Sequence, residues 1–302
     1  MLQNRFMVIA LFLLIFGALV PAQKTDQDPE YATIRVDVNS VRVRVTVSDA
    51  LNRFVTGLKP EHFELYEDKV QQTILNFTQQ PSPVTLGLVF DVSRSMKPKI
   101  LKARKNAIEF LQNGDPQDEF LLVLFSDRAR VAQTITNNIV EIQNKIGMTE
   151  PKGNTALLDA IYIGLDRIQQ GSHPKKALIV VTDGEDNSSR YSFHEVREFA
   201  REVDCQIYII GEHGSMGYGE GIMQQLAKMS GGRVFFPNSI NELEYFVELI
   251  HAELRNQYIL GYISTNTRHD GSWRRINVKL DPPPGLPNLF LHYREGYYAP
   301  KH

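Results

Sequence analysis

The 302-residue chain has a single cysteine, Cys205. One cysteine excludes an internal disulfide, so stability has to come from core packing. Cys205 opens the apolar run CQIYII with no basic neighbour, which reads as a small buried side chain and not as a nucleophile. The eight histidines form no H-x-x-x-H pair, and none stands beside a candidate serine nucleophile. Dinucleotide and Walker-type phosphate loops are missing as well. The glycine-rich GEHGSMGYGEG, 211–221, has neither G-x-G-x-x-G spacing nor Gly-Lys-Ser/Thr, and reads as a flexible loop at a ligand-binding edge. An excess of one charge is also lacking: 33 Lys and Arg face 35 Asp and Glu, and no arginine-rich arm is present. Nucleic acid is therefore not the expected partner.

Long apolar runs are confined to the N-terminus. MLQNRFMVIALFLLIFGALVPAQK places Arg5 ahead of an apolar block from Phe6 to Val20, followed by Pro21 and Ala22. A basic lead, an apolar core of about 15 residues and small residues before a cut describe a secretory signal peptide over 1–22, with cleavage after Ala22. The alternative, an uncleaved membrane anchor, wants ~20 apolar residues. No cysteine near the cut supports lipid attachment. The expectation is an exported protein, periplasmic or extracellular, with no stable membrane span after cleavage.

The rest of the chain changes texture twice. From Tyr31 to Gln80 it reads as β: VRVRVTV alternates four valines with Arg42, Arg44 and Thr46 on a wet face, and FELYEDK with QQTILNF suggests two more strands around a tight turn. After Pro81 come unbroken apolar runs, TLGLVF, FLLVLF, ALIVV and QIYII, as expected of strands buried on both faces of a parallel sheet. Helical stripes stand between them, such as Ile100, Ala103, Ala107 and Phe110, with Lys99, Lys102 and Lys105 turned outward. Beyond Asn256, YILGYIS, WRRINVKL and LFLHYREGYY return to β, interrupted by the rigid loop DPPPGLP. Neither flank alone has strands enough for a core. The pattern therefore implies an α/β, doubly wound, mainly parallel sheet over 81–255, inserted in a β-sandwich built from the flanks 23–80 and 256–302.

Three polar clusters fall at the strand ends where such sheets bind ligands. Asp91, Ser93 and Ser95 alternate directly behind the first buried strand, Thr155 opens a helix, and Asp183 ends the third buried strand. Each alone is ordinary turn or N-cap chemistry. Together they make an oxygen-only set of two carboxylates and three hydroxyls, without His or Cys. That set suits a hard cation, Mg²⁺ first with Mn²⁺ or Ca²⁺ as alternatives, and disfavours zinc. Asp186 and Asn187 could orient ligands from behind or simply form a solvated loop. Lys97, Lys99, Lys102, Arg104 and Lys105 read as a solvated helix face, though they lie where an acidic partner would approach.

These residues resemble the von Willebrand factor type A domains, also found as integrin inserted domains. The metal-ion-dependent adhesion site of that family, D-x-S-x-S followed by a Thr and an Asp, matches Asp91, Ser93, Ser95, Thr155 and Asp183, and the resemblance spans about 81–255. With GLKPEHFELYED before it and QYILGY and YREGYYAP after it, the whole chain resembles bacterial exported proteins of this kind. The resemblance implies that Ser93, Ser95 and Thr155 contact the metal and that the two aspartates bind directly or through water. It also implies that a protein partner's Asp or Glu completes the shell. The expected function is a non-catalytic, divalent-metal-dependent adhesion or scaffold module. Its competitors are a metal-assisted hydrolase, for which no second metal or general base is evident, and a scaffold with a vestigial metal site.

Overall fold

The computed structural model describes residues 40–211, 219–237, 242–286 and 288–301. The expected signal segment, 1–22, and residues 212–218 of the glycine-rich loop lie outside them. The remainder of that loop, 219–221, opens a helix. Among the described residues no helix is long and apolar enough to cross a membrane.

The centre is a six-stranded sheet of β5 (Thr85–Asp91), β6 (Glu119–Phe125), β7 (Ala129–Thr136), β8 (Lys176–Val181), β9 (Gln206–Ile210) and β10 (Val234–Phe235), in the order β10-β9-β8-β5-β6-β7. All neighbours are parallel except β7, which runs antiparallel to β6 at one edge. Every residue of β5 is buried because both faces are covered. Leu86, Leu88 and Phe90 pack beneath α1 (Ile100–Gln112), α2 (Ile139–Gly147) and α6 (Leu243–Arg255). Val89 packs on the other face, which is covered by α3 (Leu157–Ile168), α4 (Phe193–Glu202) and α5 (Gly219–Ser230). The chain leaves β5 for β6 on one side and returns to β8 on the other. The C-terminal ends of β5 and β8 therefore flank the point where strand order reverses, the usual ligand position in an open α/β sheet.

The flanks form two four-stranded antiparallel sheets, each with strands from both ends of the chain. One contains β1 (Ser40–Ser48), β4 (Asn76–Thr78), β11 (Tyr258–Ile263) and β13 (Phe290–His292), in the order β13-β1-β11-β4. The other contains β2 (Phe63–Glu67), β3 (Val70–Gln72), β12 (Trp273–Leu280) and β14 (Gly296–Tyr298), in the order β14-β12-β2-β3. Val43, Val45, Phe63, Leu65, Tyr258, Leu260, Ile276 and Val278 share one core between them. The fold class expected from sequence thus holds.

Three details differ from the sequence pattern. QQTILNF divides between sheets: Gln71 and Gln72 close a hairpin on β2, while Asn76–Thr78 pairs with β11. LFLHYREGYY likewise divides into β13 and β14. The polar side of β1 is wet only at Arg42, because from Arg44 onward it faces the α/β half. Arg44 pairs with Asp204 at 2.9 Å and donates to the Pro174 carbonyl at 2.6 Å, and Thr46 is fully buried.

That junction contains Glu253 of α6, fully buried, which accepts from the Tyr208 hydroxyl at 3.1 Å and lies 3.4 Å from Arg233. Burial raises its carboxyl to about 7, against an ordinary 4.5, although Arg233 and Tyr208 oppose the shift. The folded chain then holds a proton in this window that the unfolded chain releases. This group's contribution to stability is present below about pH 4.5, falls as pH rises, and levels off near 7. Glu253→Gln is expected to flatten the thermal-stability slope across that window; an unchanged slope would show that the carboxyl is ionised throughout.

Candidate metal centre

β5 delivers Asp91 fully buried, and hydrogen bonds fix both of its oxygens. Oδ1 accepts from the Ser93 backbone N–H at 2.7 Å, and Oδ2 accepts from the Thr182 hydroxyl at 2.6 Å. The chain stays extended only through Ser93 (φ −67°, ψ 169°), then enters a short 3₁₀ turn, Arg94–Met96. Ser95 therefore converges through the turn and not through strand alternation. Its Oγ lies 2.9 Å from Ser93 Oγ and donates to Asp183 Oδ1 at 2.7 Å. Asp183 and Thr155 are both buried. A Cβ added at Gly184 would lie 3.2 Å from Thr155 Oγ1 and 3.5 Å from Ser95 Oγ, so glycine there leaves room beside both hydroxyls. The five residues singled out in the sequence thus meet at the C-terminal edge of β5 and β8.

Several groups hold this arrangement in place. Asn187 Oδ1 accepts from the Thr155 N–H at 2.9 Å, and the Asn187 N–H returns to the Thr155 carbonyl at 3.0 Å. Asp186 Oδ1 accepts from Leu157 N at 2.8 Å and Leu158 N at 3.3 Å, capping a helix whose own cap position is Ala156. Asp186 and Asn187 are therefore not a free solvated loop; they anchor Thr155. Asp127 accepts from Asn154 N at 2.8 Å on the other side. Thr182 and Lys99 carry no sequence signal for these roles.

Lys99 departs furthest from expectation. Instead of facing solvent, its Nζ lies 3.0 Å from Asp183 Oδ2, with the side chain 29% exposed. Arg104 of the same basic run is also engaged, donating to the Thr149 hydroxyl and carbonyl.

The chemistry of the set fits a hard cation. Among the described residues no three His, Cys, Asp or Glu side chains cluster as a metal site, so negative charge at the centre comes from Asp91 and Asp183. Burial pushes the Asp91 carboxyl up to about 6, and the nearby Asp183 charge adds to the rise, against hydrogen bonds from Thr182 and Ser93. A buried carboxylate beside a second carboxylate favours a bound positive charge.

The family of von Willebrand factor type A domains matches residues 86–249, more than half of the chain. The chain belongs to this family. No curated protein matches it at a significant level. Among solved structures it is similar to a von Willebrand factor type A protein from Catenulispora acidiphila, with TM-score 0.54 and 10% identity over 86% of this chain and 75% of that one. It is also similar to a mutant of the PilB minor pilin from Streptococcus sanguinis, with TM-score 0.51 and 15% identity over 59% of this chain and 63% of that one. A third is proximal thread matrix protein 1 from the mussel byssus, described with a zinc-occupied MIDAS motif. The TM-score there is 0.50, with 19% identity over 63% of this chain and 50% of that one. At these identities the likeness is one of fold.

Proposed function

We propose that this chain is an exported, divalent-cation-dependent binding module that captures an acidic side chain of a protein partner. The observation carrying the reading is the convergence of two buried carboxylates and three hydroxyls at the strand-order reversal. In this reading Ser93, Ser95 and Thr155 hold the ion with Asp91 and Asp183, directly or through water. When bound, the cation supplies a Lewis-acidic centre for a carboxylate oxygen from outside. Residues 1–22 direct export, 81–255 bind, and 23–80 with 256–302 form the supporting sandwich. Mg²⁺ is the proposed ion, with Mn²⁺ or Ca²⁺ as alternatives. The zinc in the mussel protein's MIDAS motif makes Zn²⁺ a necessary arm of any titration. The module is read as non-catalytic, and turnover of a phosphoester or peptide that Asp91→Ala abolishes would replace this reading with a hydrolase. Capture of a partner from cell-envelope extract that is equal in chelator and in millimolar Mg²⁺ would refute the mechanism.

The Lys99–Asp183 pair favours a second reading, a scaffold whose own ammonium stands in for the ion. The two readings diverge on one substitution. In the binding module, Lys99→Met removes both a competitor for Asp183 and a like charge beside the cation. Calorimetric titration should then show roughly ten-fold tighter cation binding. No cation binding by either protein would favour the scaffold.

A further inference from the structure

A second site lies at the junction of the two halves, away from the metal centre. A cavity of about 880 Å³ opens between α5 and β10 on one side and β12 and β13 on the other, sharing no lining residue with the five above. Arg233 enters it at the start of β10, the opposite end of the parallel sheet from Asp91. We propose that this cleft binds a small organic anion, a carboxylate or phosphate carried on an apolar or ring-shaped body.

The lining is lopsided in charge. Arg201 of α4, Lys228 of α5, Arg233 just before β10 and Arg275 of β12 line the cavity, and among the described residues Glu295 is the one acidic group that does. The partners of two of these cations sit outside the lining. Arg201 donates to both Glu198 oxygens, at 2.9 and 3.2 Å, and Arg233 pairs with the buried Glu253. The other two have little compensation. Lys228 is 3.9 Å from Glu295 with its side chain 81% exposed, a weak pair in water. Arg275 is exposed and has no ion pair among the described residues. These two come from opposite walls, so an anion between them meets a cation from each half of the fold. His292 is held neutral by burial and by the Arg233 charge, its ring pushed down to about 4, and serves as a hydrogen-bonding wall.

The remaining lining sets the size and body of the ligand. Trp273, Phe236 and Leu291 provide an apolar surface, and the Arg201 guanidinium stacks 5.0 Å over the Trp273 ring. Gln224 and Asn277 add neutral polar groups. Small-molecule sites span roughly 300–1,000 Å³ and combine apolar walls with a few placed polar groups. An inorganic ion alone would leave the apolar wall wet, and a neutral ring would leave the cations unmatched. Gly231 (φ +83°), at the end of α5, lies so close to the β-sandwich that an added Cβ would be 2.7 Å from the Arg294 backbone nitrogen.

Titration calorimetry on the full chain tests this with three probes: phenyl phosphate, inorganic phosphate and phenol. Phenyl phosphate should bind saturably at roughly millimolar affinity or tighter, ahead of both partial probes. Combining Lys228→Glu with Arg275→Glu, both on exposed side chains, should weaken it at least about ten-fold while thermal unfolding stays cooperative. Binding should persist in chelator and in Asp91→Asn. Absence of saturation up to about 10 mM would overturn the proposal. So would equal affinity in the double variant, or loss in chelator, which would assign the anion to the metal centre.

Discussion

Asp91→Asn is expected to weaken divalent-cation binding by about 100-fold or more, while raising the stability of the cation-free protein. The two effects share one cause. Asp91 is fully buried, and burial lifts its carboxyl to about 6 against an ordinary 3.8. The folded state therefore holds its proton more tightly than the unfolded chain between those values. Stability from this group falls as pH rises through that window and stays low above it. Without a cation, the ionised carboxylate costs about 3 kcal/mol at neutral pH, a net figure in which the Thr182 and Ser93 hydrogen bonds are already counted. Asparagine keeps the shape. Its Oδ1 can still accept from Ser93 N, and its amide can donate to the Thr182 hydroxyl, which rotates to accept. With a cation, the same charge becomes the favourable partner, and the amide lacks it. Thermal unfolding with and without millimolar Mg²⁺ should show the variant gaining stability in chelator and losing the Mg²⁺-dependent rise. A variant that keeps the rise would remove Asp91 from the site.

A fragment of residues 40–80 should be unfolded by circular dichroism and regain β structure only with 256–302 present. β1 pairs with β11 and β13, β4 with β11, and β2 with β12. Inside the fragment the remaining strand pairing is the short hairpin of β2 and β3, too little for independent stability. The core makes the same demand: the Phe63 ring packs at a tilt against Tyr258, centroids 5.2 Å apart, and Leu65 packs among residues of β11 and β12. A stable, cooperatively folded 40–80 fragment would contradict the inserted arrangement.

How much of this was legible follows from physical strength of signal. β5 reads directly from TLGLVF, because burial on both faces leaves no polar position. β7 carries too weak a pattern, whereas α2 and α4 bury little for their length, although the Ser192 and Glu195 spacing of a capping box marks the start of α4. β7 is an edge strand without a fully buried residue, α2 buries Ile142 and Ile146, and α4 buries Val196 and Ala200. Strands of three residues, such as β3, β4 and β13, are too short for alternation to show which sheet they join. The five oxygen-bearing side chains were readable because their spacing survives without coordinates. Their supports were not, with one exception: GNTALLD offers Ala156 at the cap position, so an acceptor for the first helical N–H groups had to come from elsewhere, and Asp186 is that acceptor. Lys99 could not be read, since helical periodicity says which face is wet but not where a residue at the helix start reaches.

The most direct test of the central claim is an anomalous difference map from crystals of this protein soaked in Mn²⁺. The account predicts one strong peak among Asp91, Ser93, Ser95, Thr155 and Asp183, with the Lys99 ammonium drawn off Asp183. Strong Mn²⁺ sites elsewhere with none at this edge, or Lys99 still on Asp183 at millimolar Mn²⁺, would contradict it.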